Sequence, residues 1–213
     1  MRITKFGHAC VRFEQGASIV VVDPGVFTEA GAVDGAGAIL LTHEHPDHCF
    51  PEHLRRTDAE IWTIDAVADR LAAEAPDLTE RVRRIAPGDT FDAGIQVTAV
   101  GELHAVIHPE IPRIHNSGFL LDLDGLRVFH PGDALTGPGT EVDLLLVPVS
   151  APWLKASEAI DFARSVGAPR NLAIHDRVYS EAGLGIVDGH MDRFLTPAGQ
   201  SYVRVGDGTD VEV

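Results

Sequence analysis

Short apolar runs, separated by glycine, proline and aspartate, divide the first forty residues of the chain. These runs predict strands at residues 3–6, 10–13, 18–22 and 38–41. An Asp-Pro-Gly sequence follows the third run and predicts a turn at Asp23. We therefore expect the chain to begin as a meander of strands.

Strands and helices alternate after residue 50. Apolar spacing predicts helices at 52–56 and 66–75, a helix at 157–166 that starts with Ser157 as N-cap and stops at Gly167, and a short helix near Asp192. Strands are predicted at 60–64, 95–100, 118–123, 126–129, 143–149, 171–174 and 202–205. Asp124-Gly125 predicts a hairpin turn between two of them.

The pattern continues without a break from end to end. No linker rich in serine and glycine, charge block or low-complexity tract divides the chain, which predicts one domain over residues 1–213. The segments SIVVVDPG and RVFHPGD occupy comparable places in the two halves. This similarity hints at an internal duplication.

Composition and charge exclude several classes of partner. Acidic residues outnumber basic ones by 32 to 17, for a net charge of -15, so we expect no nucleic acid and no anionic membrane surface as partner. The apolar runs are too short to span a bilayer, and the N-terminus lacks the features of a secretory signal. The two cysteines, Cys10 and Cys49, are predicted to be free thiols. These features predict a cytoplasmic protein that acts on a small molecule and leave room for a homo-oligomer.

The strongest chemical signal follows the apolar strand at 38–41. The sequence Thr-His-Glu-His-Pro-Asp-His places His43, His45, Asp47 and His48 within six residues. Imidazole and carboxylate together suit zinc, iron or manganese, and such groups need partners when buried. In an extended segment His43 and His45 point the same way, while a turn at Pro46 moves the other two to a neighbouring position. One loop can therefore serve two metals.

Four ligands do not complete two coordination spheres. Three further candidates stand where a predicted strand ends: His104, Asp133 and His175. We expect them to approach the loop at one edge of the fold.

Together these motifs resemble the metallo-β-lactamase fold hydrolases. The similarity extends through most of the chain, namely Gly7-His8-Ala9, Val22-Asp23-Pro24-Gly25, the 43–48 loop, His104, Gly132-Asp133 and His175. Within that superfamily the chain is most similar to the compact, ascorbate-phosphate-lactonase-like bacterial metal-dependent hydrolases, which begin with a similar Gly-His-Ala segment.

The resemblance implies a four-layer αββα sandwich with two divalent metal ions at one edge. One metal would be held by His43, His45 and His104, the other by Asp47, His48 and His175, with Asp133 bridging. Redox members with a di-iron centre usually have glutamate at the position of His45, so the histidine resembles the hydrolytic branch. An iron-dependent oxygenase of the persulfide-dioxygenase type stays as the alternative, and a binding or sensor protein with a degenerate site as a third hypothesis.

The implied chemistry is hydrolysis without a covalent intermediate. A metal lowers the pKa of bound water from about 15.7 to about 7, so metal-bound hydroxide is available at neutral pH. Asp47 would orient it. His8 either contacts the substrate, donates a proton to the leaving group, or is a buried structural histidine. Zinc is the first expectation for the metal, with manganese or iron as alternatives.

The substrate stays open among small ester-type molecules. A lactone or other carboxylic ester, a phosphodiester and a thioester all fit the implied chemistry, whereas β-lactams and nucleic acids rank low. The roles of His108, His115 and His130 are undecided between lining the pocket and plain structure. We favour a turn role for His130.

Four smaller expectations concern single residues. Asp23 either accepts a hydrogen bond from a ligand histidine or serves only its turn. His53 and His190 are expected in solvent. Trp153 either walls the pocket or packs in the core, and we favour the core.

Overall fold

Two seven-stranded sheets form the centre of the protein, and the computed structural model describes residues 1–212. The first sheet contains β1 (Arg2–Lys5), β2 (Val11–Gln15), β3 (Ser18–Val22), β4 (Ala38–Leu41), β5 (Glu60–Ile64), β6 (Val82–Ile85) and, beside β1, β14 (Thr209–Asp210). The second contains β7 (Thr90–Asp92), β8 (Gln96–Val100), β9 (Gly118–Leu123), β10 (Leu126–His130), β11 (Leu144–Pro148), β12 (Arg170–Ile174) and β13 (Ser201–Val203).

Four α-helices connect the strands: α1 (Pro51–Leu54), α2 (Asp65–Glu74), α3 (Ala156–Val166) and α4 (Glu181–Leu195). Three 3-10 helices lie at Ala30–Val33, Pro76–Arg81 and Thr196–Ala198. Among residues 1–212, none of the helices is both long and apolar enough to cross a lipid bilayer.

Both sheets consist of an antiparallel part followed by a parallel part. β1, β2 and β3 are antiparallel neighbours, and β3 to β6 are parallel. Likewise β7 to β10 are antiparallel, and β10 to β13 are parallel. The predicted meander is therefore wrong for its fourth strand. β4 lies parallel to β3, with Val21 opposite Ile39, because the chain crosses back through residues 23–37 before it enters β4.

Alternating side chains on the strands separate two hydrophobic layers. In β11, Leu144 and Leu146 belong to a core that both sheets share. Leu145 and Val147 belong to a second core with residues of α3 and α4, among them Phe162. The first core also includes side chains of α2 and therefore continues to the outer face of the first sheet. The predicted αββα sandwich is confirmed.

Two helices differ from their predicted bounds. α3 begins after Lys155 rather than at Ser157, and the Glu158 carboxylate accepts a hydrogen bond from the Lys155 N–H (2.9 Å). It ends as expected at Gly167, in the left-handed region (φ 73°). α4 spans 15 residues rather than a short stretch near Asp192. Its glycines hide the helix from a propensity argument, whereas its buried face repeats at helical spacing: Leu184, Val187, Met191 and Leu195.

Three strands were not predicted: β6, β7 and β14. They are two to four residues long and their side chains are mostly half-buried or exposed, so they carry little apolar signal. Each lies at or near the edge of its sheet.

The strands that precede the candidate ligands all end at one edge of the sandwich. β1, β3 and β4 run in one direction in the first sheet, as do β8, β10, β11 and β12 in the second. Polar residues in the segments that follow these strands therefore meet at a common edge.

Candidate metal centre

The structure brings the seven ligand candidates together at this edge in two groups. The ligand atoms within each group lie no more than 4.8 Å from one another. The first group consists of His43, His45, His104 and Asp133, and the second of His8, Asp47, His48 and His175. His8 is the one member that the sequence analysis assigned a different role.

Asp133 lies between the two groups. Its Oδ1 is 3.1 Å from Nε2 of His48, and its Oδ2 is 3.2 Å from Nε2 of His175. The same Oδ2 lies 3.3 Å from Nε2 of His104 and 3.8 Å from Nε2 of His43. The carboxylate therefore faces histidines of both groups at once.

Hydrogen bonds at Nδ1 fix the orientation of three of the imidazoles. Nδ1 of His104 lies 2.7 Å from its neighbour's carbonyl oxygen at Ala105, and Nδ1 of His175 is bonded to the carbonyl of Ser150. A carbonyl only accepts, so each Nδ1 carries a proton, and Nε2 is the atom that presents a lone pair to a metal whenever the ring is neutral. Nδ1 of His48 lies 2.7 Å from Oδ2 of Asp23 and is oriented in the same way.

Asp23 also orients His43 through a hydroxyl group. The Thr42 hydroxyl donates to Oδ2 of Asp23 (2.6 Å) and is 3.0 Å from Nδ1 of His43. Since this hydroxyl has already donated its proton, it accepts from the imidazole. The predicted contact between Asp23 and a candidate ligand histidine is confirmed, and the residue does more than form its turn.

The donor set fits a metal ion. Four buried atoms at the junction of the two groups lie close to one another or to Asp133 but form no well-aligned hydrogen bond: Nε2 of His48, His104 and His175, and Oδ1 of Asp133. Buried polar atoms are nearly always paired, and a group of unpaired ones aimed at a shared point is what a cation would satisfy. Nitrogen and oxygen donors suit zinc, manganese and iron.

Asp47 and His8 form a pair at the second group. Nε2 of His8 lies 3.0 Å from Oδ2 of Asp47, and Nδ1 of His8 accepts from the N–H of Arg177 (3.3 Å). His8 therefore carries its proton on Nε2 and donates it to Asp47. The His8 side chain is fully buried, whereas the Asp47 side chain is 23% exposed and so faces the opening of the site.

Burial and neighbouring charges shift the pKa values of the cluster in opposite directions. Burial and the nearby His48 hold the pKa of His43 well below its usual range, and burial lowers the pKa of His8 to about 4. Burial also opposes the charge on His175, but the Asp133 carboxylate outweighs it and raises the pKa of His175 to about 9. Burial would raise the pKa of Asp133, yet His48 and His175 hold it well below its usual range. Asp133 is therefore a carboxylate at neutral pH.

Strained backbone fixes three of these residues. His8, Asp23 and His175 have φ values of 62°, 49° and 57°, in the left-handed region that residues other than glycine rarely adopt. Such conformations persist where the surrounding structure imposes them, often at functional sites.

Glycine allows the surrounding loops to approach one another. A Cβ built on Gly25 would overlap the carbonyl oxygen of Asp47, and one on Gly7 would overlap that of Phe27. Only glycine fits at either position without displacing a loop.

Three residues that hold the site escaped the sequence analysis in whole or in part. The Asn116 amide accepts from the N–H of Asp133 (3.0 Å) and donates to the carbonyl of Pro131 (2.9 Å). Ser150 supplies the carbonyl that orients His175. Trp153, expected in the core, packs there in part but also donates its indole N–H to Oδ2 of Asp133 (3.1 Å). The only sequence signal for them is their position just before or after a strand.

Two other histidines are structural. His130 is buried, with Nε2 bonded to the carbonyl of Ala9 (2.8 Å) and Nδ1 accepting from Gly132 (3.1 Å), as its turn role predicted. His53 was expected in solvent and is instead buried, with Nδ1 3.3 Å from the carbonyl oxygen of Pro24. It packs beneath the Asp-Pro-Gly turn, which the sequence places far away.

The remaining histidines lie outside the two ligand groups. His108, His115 and His190 are exposed, the last as expected. Cys10 and Cys49 are both buried free thiols, as predicted, and burial raises the pKa of Cys49 to about 12.

Comparison with known proteins agrees with this geometry. The sequence profile of the beta-lactamase superfamily domain matches residues 2–175. The chain belongs to this superfamily. "Protein Rv0786c" of Mycobacterium tuberculosis is 39% identical over 200 residues, which cover 92% of this chain and 93% of that protein. A "UPF0173 metal-dependent hydrolase" of Methanosphaerula palustris is 30% identical over 82% of this chain and 83% of its own.

Solved structures share the fold. Igni18, a metallo hydrolase from the archaeon Ignicoccus hospitalis, superposes with a TM-score of 0.72 over 99% of this chain and 97% of its own, at 16% identity. The superfamily member described here is a metal-dependent hydrolase with the metallo-β-lactamase fold. The oxygenase alternative is not favoured by these relationships.

Proposed function

We propose that the protein is a binuclear metal-dependent hydrolase that cleaves a small ester-type molecule. The observation that carries the proposal is the position of Asp133, whose two oxygens face histidines of both ligand groups. A carboxylate in that position can be shared by two cations and set their separation. If the site held one metal, the histidines of the other group would be clustered at the junction without a cation to bind.

The residues divide between the two metals as follows. One ion would be held by His43, His45 and His104, the other by Asp47, His48 and His175, with Asp133 contributing to both. Zinc is the first choice for this set of nitrogen and oxygen donors, and manganese or iron also fit it. When bound, such ions supply a water molecule of lowered pKa and polarise the oxygen of the scissile group.

The protein's own groups provide orientation. His8 donates its Nε2 proton to Asp47 and so fixes the carboxylate that faces the opening of the site. We assign His8 this positioning role, because its side chain is fully buried and its pKa of about 4 keeps it neutral near pH 7. Trp153 fixes Asp133 in a comparable way with its indole N–H.

Metal analysis and substrate screening test the proposal together. Protein purified without chelators should contain two transition-metal ions per chain. It should hydrolyse at least one member of a panel of lactones, carboxylic esters, thioesters and bis(p-nitrophenyl) phosphate. Fewer than one metal per chain would refute the binuclear site. Stoichiometric iron together with oxygen uptake on thiol substrates would instead establish the oxygenase alternative. Two metals without any turnover would indicate a binding or sensor protein.

A further inference from the structure

Exposed apolar side chains surround the opening of the candidate metal centre. We define the apolar rim as six residues whose side chains are 40–50% exposed: Val26, Phe27, Val106, Ile107, Ile111 and Val178. Eleven large apolar side chains are exposed in residues 1–212, and these six make up more than half of them. Single exposed apolar residues are normal, but a cluster beside a site indicates a binding surface.

Two of the three segments of the rim contact residues of the candidate metal centre. The Val26 N–H donates to the carbonyl of Pro46, between two candidate ligands (2.9 Å), and the Phe27 ring centroid is 5.3 Å from that of His8. The Val178 N–H donates to the hydroxyl of Ser150 (3.3 Å), the residue whose carbonyl orients His175. These contacts anchor both segments to the site.

Two hollows continue the rim inwards on either side of the segment that follows His104. One, of about 60 Å³, is lined by His45 and His104 together with Ile107 and Ile111. The other, of about 320 Å³, has apolar walls that include Val106, Leu135 and Trp153, and its polar lining residues are Arg113, Thr136 and Glu158. Their volumes suit hydrocarbon groups of a few carbons, and pockets with apolar walls and a few polar groups are typical of small-molecule sites.

The two arginines beside the rim differ in their partners. Nε of Arg113 donates to the carbonyl of His104 (2.7 Å), and the Arg177 guanidinium pairs with Asp207. A phosphoryl substrate would meet mainly apolar side chains at the opening, and Arg177 would have to give up its carboxylate partner to bind it. Arg113 is hydrogen-bonded only to carbonyl groups and keeps its charge. The apolar side chains at the opening favour a substrate with an apolar group.

We propose that the substrate is a carboxylic ester or lactone whose acyl group is apolar and lies against the apolar rim, with its carbonyl group at the junction of the two ligand groups. This inference rests on the proposed hydrolase function and narrows its substrate class. In the reaction the bond between acyl carbon and ester oxygen breaks, water supplies the new oxygen of the acid, and the alcohol gains a proton.

A chain-length series tests the inference on metal-loaded protein. The probes are p-nitrophenyl acetate, butanoate, hexanoate and octanoate, with bis(p-nitrophenyl) phosphate as the charged comparison. We expect kcat/KM to rise about three- to fourfold for each added methylene over the first few carbons, because each one leaves water on binding. Calorimetric titration with the free carboxylates butanoate and octanoate, which are products of the series, gives a second readout. Octanoate should bind more tightly than butanoate.

Two rim variants and one control test whether the dependence of kcat/KM on acyl chain length comes from the rim. Phe27→Ser and the double variant Ile107→Ser, Ile111→Ser should lower kcat/KM for p-nitrophenyl octanoate at least tenfold more than they lower kcat/KM for p-nitrophenyl acetate. Ile186→Ser is the matched control, since Ile186 is 64% exposed on α4 and outside the rim. It should leave the whole series unchanged.

The outcomes separate this inference from the proposed function. Equal kcat/KM for acetate and octanoate, or a preference for the phosphodiester, would overturn the apolar acyl group while hydrolysis stands. A dimer that the Phe27→Ser variant abolishes, together with a flat chain-length series, would overturn it as well. A third outcome is that no probe is turned over, while octanoate still binds in the titration and the rim variants weaken that binding. This outcome would overturn the hydrolase function and support the rim as a binding surface for apolar groups.

Discussion

Among the individual residues, Asp133 differs from every other ligand candidate, because its two oxygens face histidines of both groups. We predict that Asp133→Ala loses metal from both sites and that Asp133→Asn is nearly as harmful, because the amide keeps the shape but not the charge. Loss of a residue that only hydrogen-bonds to a metal ligand lowers metal affinity or activity about 10–100-fold. Asp133 is itself a ligand candidate, so the activity of both variants should fall by more than that. Metal content and turnover, measured side by side, give the answer.

His175→Ala is the matched variant for this prediction. His175 belongs to the second group only, so the variant should keep roughly one metal per chain. An Asp133→Ala protein with two metals and normal turnover would contradict the shared-carboxylate assignment.

Lys5 is a second residue that decides local stability. Its side chain is fully buried, and Nζ lies 2.6 Å from Asp176 and 3.2 Å from Asp207. Burial lowers the pKa of Lys5, and the Asp176 carboxylate opposes that shift. Because Asp176 follows His175, this ion pair connects β1 to the end of β12 behind the metal centre.

We predict that Lys5→Met lowers the free energy of unfolding by about 3–5 kcal/mol, since it leaves the buried carboxylate of Asp176 without its partner. Arg2→Met on the same strand is the control. Arg2 pairs with Asp210 at the surface and should matter little. Urea unfolding of both variants measures the difference. Equal stability of the two would show that the buried pair contributes no more than the surface pair.

At the scale of elements, the loop that carries four ligand candidates depends on its neighbour, the turn after β3. Gly25→Ala places a methyl group on the carbonyl of Asp47 and the N–H of His48, so the loop must move. We predict that this variant binds metal at least about tenfold more weakly than the unmodified protein. Gly31→Ala is the control, because the nearest atom to its added Cβ is a side-chain oxygen of Asp34 at 3.7 Å. Zinc titration in competition with a chromophoric chelator measures both, and equal affinities would contradict the prediction.

Elements with a strong apolar pattern were predictable, and elements held by tertiary contacts were not. β3, β4 and β5 occur at the predicted residues because continuous apolar runs define buried strands. β14 is a pair of polar residues that becomes a strand only because β1 lies beside it. α4 was underestimated because Gly183, Gly185 and Gly189 lower helix propensity, whereas packing on the second sheet decides its length.

The residues of the site also divide into those that the sequence predicts and those that it does not. The seven ligand candidates could be found because their side chains have few other uses in that pattern at strand ends. Asn116 and Ser150 could not, since they act through single hydrogen bonds between segments that the sequence does not show to be neighbours. His53 illustrates the reverse error, because a helical residue predicted in solvent is buried beneath a turn almost thirty residues away.

At the scale of the whole molecule, the two halves have the same topology. β1 to β3 and β8 to β10 are antiparallel sets, and each continues into three more parallel strands with helices between them. The similar segments SIVVVDPG and RVFHPGD occupy the equivalent strands β3 and β10. Asp23 and Asp133 follow these strands: Asp23 orients one histidine of each ligand group, and Asp133 lies between the groups. The topology supports the internal duplication that the sequence hints at.

The metal centre joins these halves. The loop after β4 in the first half supplies His43, His45, Asp47 and His48, and the second half supplies His104, Asp133 and His175. A cation bound there would hold the two sheets together at one edge and satisfy buried atoms that form no well-aligned hydrogen bond. A ligand that binds only the folded state stabilises it, by about 4 kcal/mol at a thousand times its Kd.

We therefore predict that chelation lowers the melting temperature. For a chain of this size each kcal/mol corresponds to about 2–4 °C, so the loss should be roughly 10 °C. Differential scanning calorimetry of the protein as purified, after dialysis against a chelator, and after addition of zinc, manganese or iron measures the loss and its recovery. The metal that restores the highest melting temperature at equal free concentration binds the folded state most tightly. Asp133→Asn serves as the control, because a protein that cannot hold metal has nothing to lose to the chelator. An unchanged melting temperature in the unmodified protein would mean that the unpaired nitrogens at the junction are stable without a cation, which is contrary to the cost of burying unpaired polar groups.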